Sequence, residues 1–307
     1  MPSSARATLH VWGVRGTCPV PGPTTLRYGG NTSCAEVHLA NGTQVIFDAG
    51  TGLRVLGVER WPARSAGVQS ALGESLRPVV AILLTHRHGD HVMGLAHFVP
   101  HVAASHTVRI ACPNVSATAL QAFVEQQLSA PLLPPIEGLT DAYDVDAFCE
   151  EGSFPFYVLG DHCVVHALPA HHPGGAAVLR LDDAQGPVLA YAPDNELALW
   201  NDTPALVAWR SSLREALQGI PVMVHDATYT DEELAAHRGW GHSSAEEATR
   251  FAMSCGAGTL LLTHHHPDRD DASVDAMVER CRAMAAEAGT GLRVAGAFEG
   301  HLETVPN

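Results

Sequence analysis

Long apolar runs are absent from this 307-residue chain. The longest, such as residues 79–84 and 259–262, have the length of a strand, whereas a membrane span needs about 20 apolar residues. The first eight residues lack the basic end and the apolar run of a signal peptide. The sequence therefore predicts a soluble protein, located in the cytoplasm and without a membrane partner.

Cysteine is sparse, and no Cys-x-x-Cys pair occurs among the 7 cysteines. An odd number of scattered cysteines is not typical of a disulfide framework or of a cysteine zinc site. We expect reduced thiols, most of them buried as small apolar residues.

Positive charge is also scarce, since 18 basic residues face 33 acidic ones and the formal net charge is −15. Long nucleic acids are held by basic side chains on their phosphates, and no basic run is present. No long nucleic acid is therefore expected as a partner. A small anionic substrate stays compatible with this charge, because bound metal ions make a site locally positive. A homodimer is compatible as well.

Apolar residues are frequent, at 46% of the chain, and their periodicity predicts an α/β protein with a large core. Helical patterns occupy residues 116–128, 204–218, 244–255 and 273–288. Short β-branched runs predict strands at 9–12, 34–39, 44–47, 79–84, 108–111, 163–167, 176–181, 188–191, 222–224, 259–262 and 292–295.

The order of these elements favours two β-sheets packed face to face with helices outside, in one domain over residues 1–307. Strands come consecutively first and then mix with helices, which does not fit a doubly wound parallel sheet. Residues 54–78 and 113–160 are polar or rich in proline and are predicted to be insertions into this domain. Ser244 and Glu247 have the spacing of a capping box, which predicts a helix start directly after His242.

Histidine is unusually frequent, with 19 residues, and its arrangement is informative at Thr85-His86-Arg87-His88-Gly89-Asp90-His91. This segment follows the predicted strand 79–84. Residues two apart in an extended turn point the same way, so His86 and His88 can share one metal ion. Asp90 and His91 can then face a second ion nearby. Imidazole and carboxylate ligands suit Zn²⁺, Mn²⁺ or Fe, and the absence of cysteine ligands favours a catalytic site.

This segment resembles the His-x-His-x-Asp-His signature of the metallo-β-lactamase fold. Within that superfamily the chain is most similar to the branch of ribonuclease Z and the cyclic phosphodiesterases. The similarity extends over nearly the whole chain through Gly13-Val14-Arg15-Gly16-Thr17, Asn31-Thr32-Ser33, Phe47-Asp48-Ala49-Gly50, His225-Asp226-Ala227-Thr228 and Gly241-His242-Ser243-Ser244. The resemblance implies an αββα sandwich and two divalent metal ions per chain, with Zn²⁺ preferred and Mn²⁺ as the alternative.

The resemblance also implies the remaining metal ligands. His171 and His172 are alternatives for the third ligand of the first metal ion. In the family this ligand precedes a strand arginine by a fixed number of residues, and with Arg180 as that arginine His172 is favoured. Asp194, at the end of a predicted strand, is implied as a carboxylate that bridges the two ions; the alternative is a structural aspartate in a turn.

His264 is implied as the last ligand by its separation from His242. Its neighbours His265 and His266 are expected to face solvent or to support the ligands. Asp48 is expected to orient the metal loop through hydrogen bonds and not to bind metal itself. Arg15 and Asn31 can be explained as turn-forming residues of a glycine-rich segment. Asn31 is in addition a candidate for substrate binding.

His242 is the candidate proton donor to a leaving group and also a candidate to bind substrate. Asp226 is expected to orient it, and Asp90 completes the predicted catalytic residues. The alternative for the pair of Asp226 and His242 is a hydrogen bond that only tethers a loop.

Together these features predict a phosphodiesterase that cleaves a small or cyclic phosphodiester through a metal-bridging hydroxide. Ribonuclease Z carries a long arm that would have to fit between His172 and Asp194, an interval that two strands and a Gly-Pro turn already fill. The alternatives are a lactonase or β-lactamase-like hydrolase of a carbonyl substrate, a ribonuclease Z-like endonuclease, and a metal-binding module without turnover.

Overall fold

The computed structural model describes residues 5–61, 79–102, 106–129, 143–150, 154–160, 163–197 and 203–306. Within these ranges two mixed β-sheets of seven strands each pack against one another. The first sheet has the order β14 (Leu302–Val305), β1 (Ala7–Gly13), β2 (Cys34–Leu39), β3 (Gln44–Phe47), β4 (Val79–Leu83), β5 (Thr107–Ala111) and β6 (Tyr143–Asp146).

The second sheet contains the later strands of the chain. Its order is β13 (Arg293–Gly296), β12 (Thr259–Thr263), β11 (Val222–Asp226), β10 (Gly186–Ala192), β9 (Ala177–Asp183), β8 (Cys163–Pro169) and β7 (Phe156–Gly160). Strands β10 to β13 run parallel to their neighbours, whereas β7 to β10 are antiparallel. The parallel strands therefore end at a common edge.

Helices cover the outer face of each sheet. Their bounds are α1 (Gly52–Arg60), α2 (Leu95–Val102), α3 (Ala117–Gln127), α4 (Pro204–Ala216), α5 (Asp231–His237), α6 (Ala245–Cys255) and α7 (Asp271–Ala288). Apolar side chains such as Leu9, Val37, Leu179 and Val224 fill the space between the sheets. Two further apolar layers join the first sheet to α1–α3 and the second sheet to α4, α6 and α7. This is the predicted αββα sandwich.

Each predicted strand and helix is present, with ends that differ by a few residues. The sequence patterns missed α1, α2 and α5 among the helices, and β6, β7 and β14 among the strands. The range 113–160, predicted as an insertion with one helix, also contains β6 and β7, which are edge strands of the two sheets. Edge strands are half exposed, so polar residues interrupt their apolar pattern. The range 54–78 begins inside α1, and residues 62–78 lie outside the described residues.

The capping prediction at α6 is half right. The Ser244 side chain accepts a hydrogen bond from the Glu247 backbone N–H, as predicted, and α6 begins directly after it. The Ser244 hydroxyl also donates to Asp231, whose negative charge lies near Glu247. The reciprocal capping box forms instead at the start of α5, between Thr230 and Glu233.

No helix in the described part of the chain is long and apolar enough to cross a lipid bilayer.

Candidate metal centre

Histidine and aspartate side chains from both sheets meet at one edge of the sandwich. A loop and a single 3-10 turn, Gly89–His91, follow β4 of the first sheet. The second sheet contributes residues from the β8–β9 connection and from the ends of β10, β11 and β12. The carboxyl ends of parallel strands are the usual location of sites in α/β folds.

One group of ligand atoms comes from His86, His88, His172 and Asp194, and these atoms all lie within 4.8 Å of one another. Nε2 of His172 lies 3.0 Å from Nδ1 of His88 and 3.3 Å from Oδ2 of Asp194. His86 is 2% exposed, whereas His88 is exposed, so the group is accessible from solvent on one side. The predicted partners of the first metal ion are thus in contact.

A second group consists of Asp90, His91 and His264, and its ligand atoms also lie within 4.8 Å of one another. Nε2 of His264 is 3.3 Å from Oδ2 of Asp90, and Nε2 of His91 is 3.4 Å from the same oxygen. All three residues are buried.

Asp194 joins the two groups. Its Oδ2 lies 3.6 Å from Nε2 of His86, and its Oδ1 lies 3.1 Å from Nε2 of both His91 and His264. The two oxygens of one carboxylate therefore face different groups. This is the arrangement expected of a carboxylate that bridges two ions.

The ring nitrogens that point away from the cluster are held by hydrogen bonds. Nδ1 of His91 lies 2.7 Å from Asp48, Nδ1 of His172 donates to the Gly241 carbonyl at 2.9 Å, and Nδ1 of His264 lies 3.0 Å from the Thr228 hydroxyl. Outward bonds of this kind fix the tautomer of a metal-binding histidine.

Asp48 orients the metal loop as predicted from its position after β3. Its carboxylate accepts hydrogen bonds from the Thr85 backbone N–H at 2.7 Å and from the Thr85 hydroxyl, and it contacts His91. Its backbone has a positive φ of 59°, a conformation that aspartate tolerates better than most residues. Both oxygens of Asp48 are thus engaged by Thr85 and His91, and Asp48 is not among the grouped ligand residues.

The inward-pointing atoms fit divalent metal ions. Nε2 of His86, Nε2 of His91 and Oδ1 of Asp194 are buried, and none has a hydrogen-bond partner among the described residues. Buried polar atoms in proteins are nearly always paired, and metal coordination would satisfy these three. Neutral imidazole and carboxylate donors suit Zn²⁺ and related divalent ions. The cluster is therefore suited to divalent metals.

The charges of the cluster shift its pKa values in opposite directions. Burial lowers the pKa of His86 to about 2, which keeps its imidazole neutral. Burial opposes ionisation of Asp194, but His264 and His91 overcome it and hold the pKa of Asp194 well below its usual range. Asp194 therefore stays negatively charged. His91 differs from His86, because burial lowers its pKa but Asp194, Asp48 and Asp90 outweigh burial and raise it well above its usual value. Neutral imidazoles and ionised carboxylates are the forms that bind metal, so binding at His91 would release a proton.

His242 lies beside the cluster on the loop before α6. Its ligand atom is within 4.8 Å of those of Asp194 and His264, and its ring stacks on that of His264 with centroids 4.8 Å apart. Nδ1 of His242 is 2.8 Å from Oδ2 of Asp226 at the end of β11. Burial lowers the pKa of His242, but the Asp226 carboxylate outweighs it and raises this pKa to about 9.

Other predicted residues lie outside the cluster. The His171 ring packs 5.8 Å from the Trp209 ring, so His172, and not His171, faces Asp194. The backbone N–H and side-chain amide of Asn31 both donate to Glu299. Substrate binding by Asn31 stays a prediction.

The three consecutive histidines after β12 diverge because His264 has a positive φ of 59°. His265 is 0% exposed, contacts the Ala297 carbonyl at 3.0 Å and packs edge-on against Tyr28, so it does not face solvent. A supporting role for it beside the ligand His264 stays a prediction. Burial lowers the pKa of His265 to about 3. His266 is partly exposed and lies near the Tyr229 ring.

The sequence did not identify several supporting groups. The Thr17 backbone N–H donates to Asp90 at 2.7 Å, and the Thr228 hydroxyl connects His264 to Asp226. Gly16 packs against His264 so closely that a Cβ atom there would lie 2.3 Å from the ring. Gly16 and Thr228 belong to short motifs that are visible in the sequence, but only the folded chain reveals their contacts.

Comparison with known proteins agrees with this geometry. Residues 43–265 match the model of a family described as the beta-lactamase superfamily domain. A ribonuclease Z from Exiguobacterium sp. (strain ATCC BAA-1283 / AT1b) is 25% identical over 226 residues, which cover 61% of this chain and 71% of that protein.

Solved structures share the fold at low sequence identity. The metallo-beta-lactamase fold protein YhfI from Bacillus subtilis superimposes with a TM-score of 0.65 at 19% identity, covering 97% of this chain and 99% of its own. Yeast PDE1 gives a TM-score of 0.66 at 17% identity, covering 98% and 100%. At these identities the likeness establishes the fold alone.

Proposed function

Since this chain belongs to the beta-lactamase superfamily domain family, we propose that it is a metal-dependent phosphodiesterase for small or cyclic phosphodiesters. A single observation carries the choice of phosphoryl chemistry. The imidazole of His242 lies against the metal-ligand cluster and is held there by the Asp226 carboxylate.

The ligand residues would hold two divalent ions, three ligands on one side and three on the other, with Asp194 shared. Such ions, when bound, supply an activated water and polarise a phosphoryl oxygen. They also give the site a positive charge that attracts an anion, despite the net charge of −15. Zn²⁺ is the preferred ion, and Mn²⁺ is the alternative.

His242 supplies what the ligands cannot. An alkoxide leaving group needs a proton, and Nε2 of His242 is free to donate one because Nδ1 is bonded to Asp226. The Asp226 carboxylate outweighs burial, raises the pKa of His242 and so favours its protonated form. Asp226 orients the ring and stabilises its charge.

A small substrate is favoured over a structured RNA. The name ribonuclease Z among the relatives supports phosphodiester chemistry, because a ribonuclease cleaves phosphodiester bonds. In this chain, however, β9 and β10 follow His172 and are joined by a tight turn at 184–185, and β10 ends two residues before Asp194. The interval has no space for a long RNA-binding arm, and basic residues are few.

The test is a substrate panel with protein loaded with Zn²⁺ or Mn²⁺. We expect hydrolysis of bis(4-nitrophenyl) phosphate and of cyclic nucleotides, and slow or no hydrolysis of a lactone and of nitrocefin. The control is Asp194→Asn, beside Asp182→Asn on the outer part of β9 as a matched substitution. Preferred turnover of the lactone or nitrocefin would refute the phosphodiesterase proposal, as would metal binding without turnover of any phosphodiester.

A further inference from the structure

An exposed tryptophan stands at the edge of the metal centre. Trp240 is 61% exposed and lies two residues before His242. Its neighbour Gly241 packs so closely on His172 that a Cβ atom at Gly241 would be 2.3 Å from Nδ1 of that ring. Consecutive Cα atoms are about 3.8 Å apart, so the backbone of Trp240 lies one residue from Gly241, which packs against the candidate ligand His172.

The loop that presents Trp240 is built around a buried carboxylate. Glu196 is 0% exposed, and it accepts hydrogen bonds from the Gly239 N–H at 2.7 Å and from the Gly241 N–H at 2.9 Å. A buried carboxylate is costly, so these bonds to both residues that flank Trp240 indicate a loop held in one conformation.

The backbone conformation of the two glycines that flank Trp240 also fixes this loop. Gly239 and Gly241 have φ values of +84° and +88°, a region that residues with a Cβ atom rarely adopt. Between them lies Trp240, whose ring is perpendicular to that of His237 with centroids 5.1 Å apart. His237 stacks in turn on the buried Tyr229, whose ring centroid is 6.2 Å from that of His242. The indole is therefore supported by His237 and still 61% exposed.

We propose that Trp240 stacks on the base of a nucleoside phosphodiester whose phosphate is bound at the metal centre. This inference rests on the proposed function and names its substrate class. A phosphodiester carries two ester arms, and we place the arm that bears the base on the side of His242, towards the loop 239–241 that carries the indole. A planar base offers the π-face that an exposed indole binds by offset stacking.

A protein partner fits the surface less well. A stable protein interface buries about 800 Å² on each partner. The other large apolar side chains that are exposed in the described residues are Leu26, Val58, Val79, Val158, Val207, Phe298 and Leu302, and all lie on other loops or elements. Among the described residues, Trp240 is thus the single large apolar side chain that its loop exposes.

The test compares two substrates with the same leaving group. Thymidine 5′-(4-nitrophenyl phosphate) has a nucleoside arm where methyl 4-nitrophenyl phosphate has a methyl group. Because stacking on one aromatic side chain is worth about 5- to 150-fold, we expect Trp240→Ala to lower kcat/KM for the thymidine compound about 10-fold. The methyl compound should change by less than about 2-fold, since it has no base to lose contact with.

Two further variants separate stacking from general disturbance. Trp240→Phe keeps an aromatic plane and should restore most of the activity on the thymidine compound. Leu302→Ala removes an apolar side chain of equal exposure, 60%, on β14 and should change neither substrate. Equal losses on both substrates in Trp240→Ala, or no loss on either, would overturn the proposal.

A binding measurement keeps this inference separate from the proposed function. We expect calorimetry on the metal-loaded protein to give tighter binding of adenosine 5′-monophosphate than of ribose 5-phosphate, and Trp240→Ala to abolish the difference. If the preference persists while no phosphodiester is cleaved, the proposed function fails and the base site stands. If phosphodiesters are cleaved and the wild type has no preference, the base site fails alone.

Discussion

Oδ2 of Asp226 lies 2.8 Å from Nδ1 of His242, while Oδ1 of the same carboxylate accepts a hydrogen bond from the Thr228 hydroxyl at 2.8 Å. Thr228 in turn contacts Nδ1 of His264 at 3.0 Å. One buried carboxylate thus orients both the candidate proton donor and a candidate metal ligand. This connection accounts for the spacing within His225-Asp226-Ala227-Thr228.

Removal of His242 should affect poor leaving groups most. Proton donation by one positioned group is worth about 10²–10⁴ in rate, so His242→Ala should lower kcat by that order on an alkyl phosphodiester. A nitrophenolate leaving group needs little protonation, so the decrease in kcat on a nitrophenyl substrate should be much smaller. Steady-state kinetics with metal content measured in parallel test this prediction.

Asp226→Asn provides the graded comparison for His242→Ala. It should give a weaker version of the same pattern, because the imidazole remains but its orientation is disturbed. Equal losses on both leaving groups with intact metal content would instead indicate that His242 binds substrate and does not protonate the leaving group.

The neighbouring histidines on the β8–β9 connection should differ in metal binding. We expect about two divalent ions per wild-type chain, as in two-metal hydrolases. His172→Ala should weaken binding and remove activity, because Nε2 of His172 contacts both His88 and Asp194. His171→Ala should retain the metal, since that ring packs near Trp209. Elemental analysis after gel filtration decides, and a metal-free His171→Ala protein would contradict the assignment.

Gly16 should be essential for the position of His264. A Cβ atom at residue 16 would lie 2.3 Å from the His264 ring, and the Thr228 hydroxyl holds that ring at Nδ1. Gly16→Ala should therefore displace His264 and reduce metal content and activity while the fold persists. Gly22→Ala is the matched control, since nothing lies within 4 Å of a Cβ atom there. Full metal occupancy in Gly16→Ala would show that the ring can yield.

The buried carboxylate of Glu36 should make the free energy of unfolding decrease as the pH falls into the acid range. Burial alone would raise its pKa, but hydrogen bonds from His38 and Arg60 outweigh burial and lower the pKa from 4.5 to about 2. A carboxyl with a lowered pKa stabilises the fold above its unfolded pKa, and this contribution disappears as pH falls from about 4.5 towards 2. The lowering corresponds to about 3 kcal/mol.

Glu36→Gln should lose that contribution at neutral pH and flatten the acid dependence. Urea unfolding of both proteins at pH 7, 4 and 3 measures the difference. Glu59→Gln, an exposed residue at the end of α1, is the control and should change little. A variant with the wild-type dependence between pH 7 and 3 would contradict the assignment to Glu36.

The sandwich was predictable because its central strands are buried on both faces and read as apolar runs. Strands such as β4 and β12 are short, apolar and followed by polar ligands, which the sequence displays directly. Edge strands such as β6 and β14 alternate with polar residues and carry no such signal. Helix α5 has only seven residues, too few for a clear period.

The sequence predicted which residues form the candidate site, but not the directions in which their side chains point. His86 to His91 are consecutive, so their proximity is dictated by the chain itself. The divergence of His264, His265 and His266 depends on one positive φ, which no periodicity displays. Glu196 had no sequence signal at all, because its partners are backbone N–H groups more than forty residues away.

The ligands of the metal centre come from opposite sheets, with His86 to His91 after β4 and the others from the second sheet. A bound ion would therefore act as a cross-link between the two halves of the sandwich, closing a chain segment that runs from the first sheet to the second. Anything that binds only the folded state stabilises it, by about 2.7 kcal/mol when its concentration is 100 times its Kd. Metal supply would in this way govern how long the protein survives proteolysis as well as how fast it works.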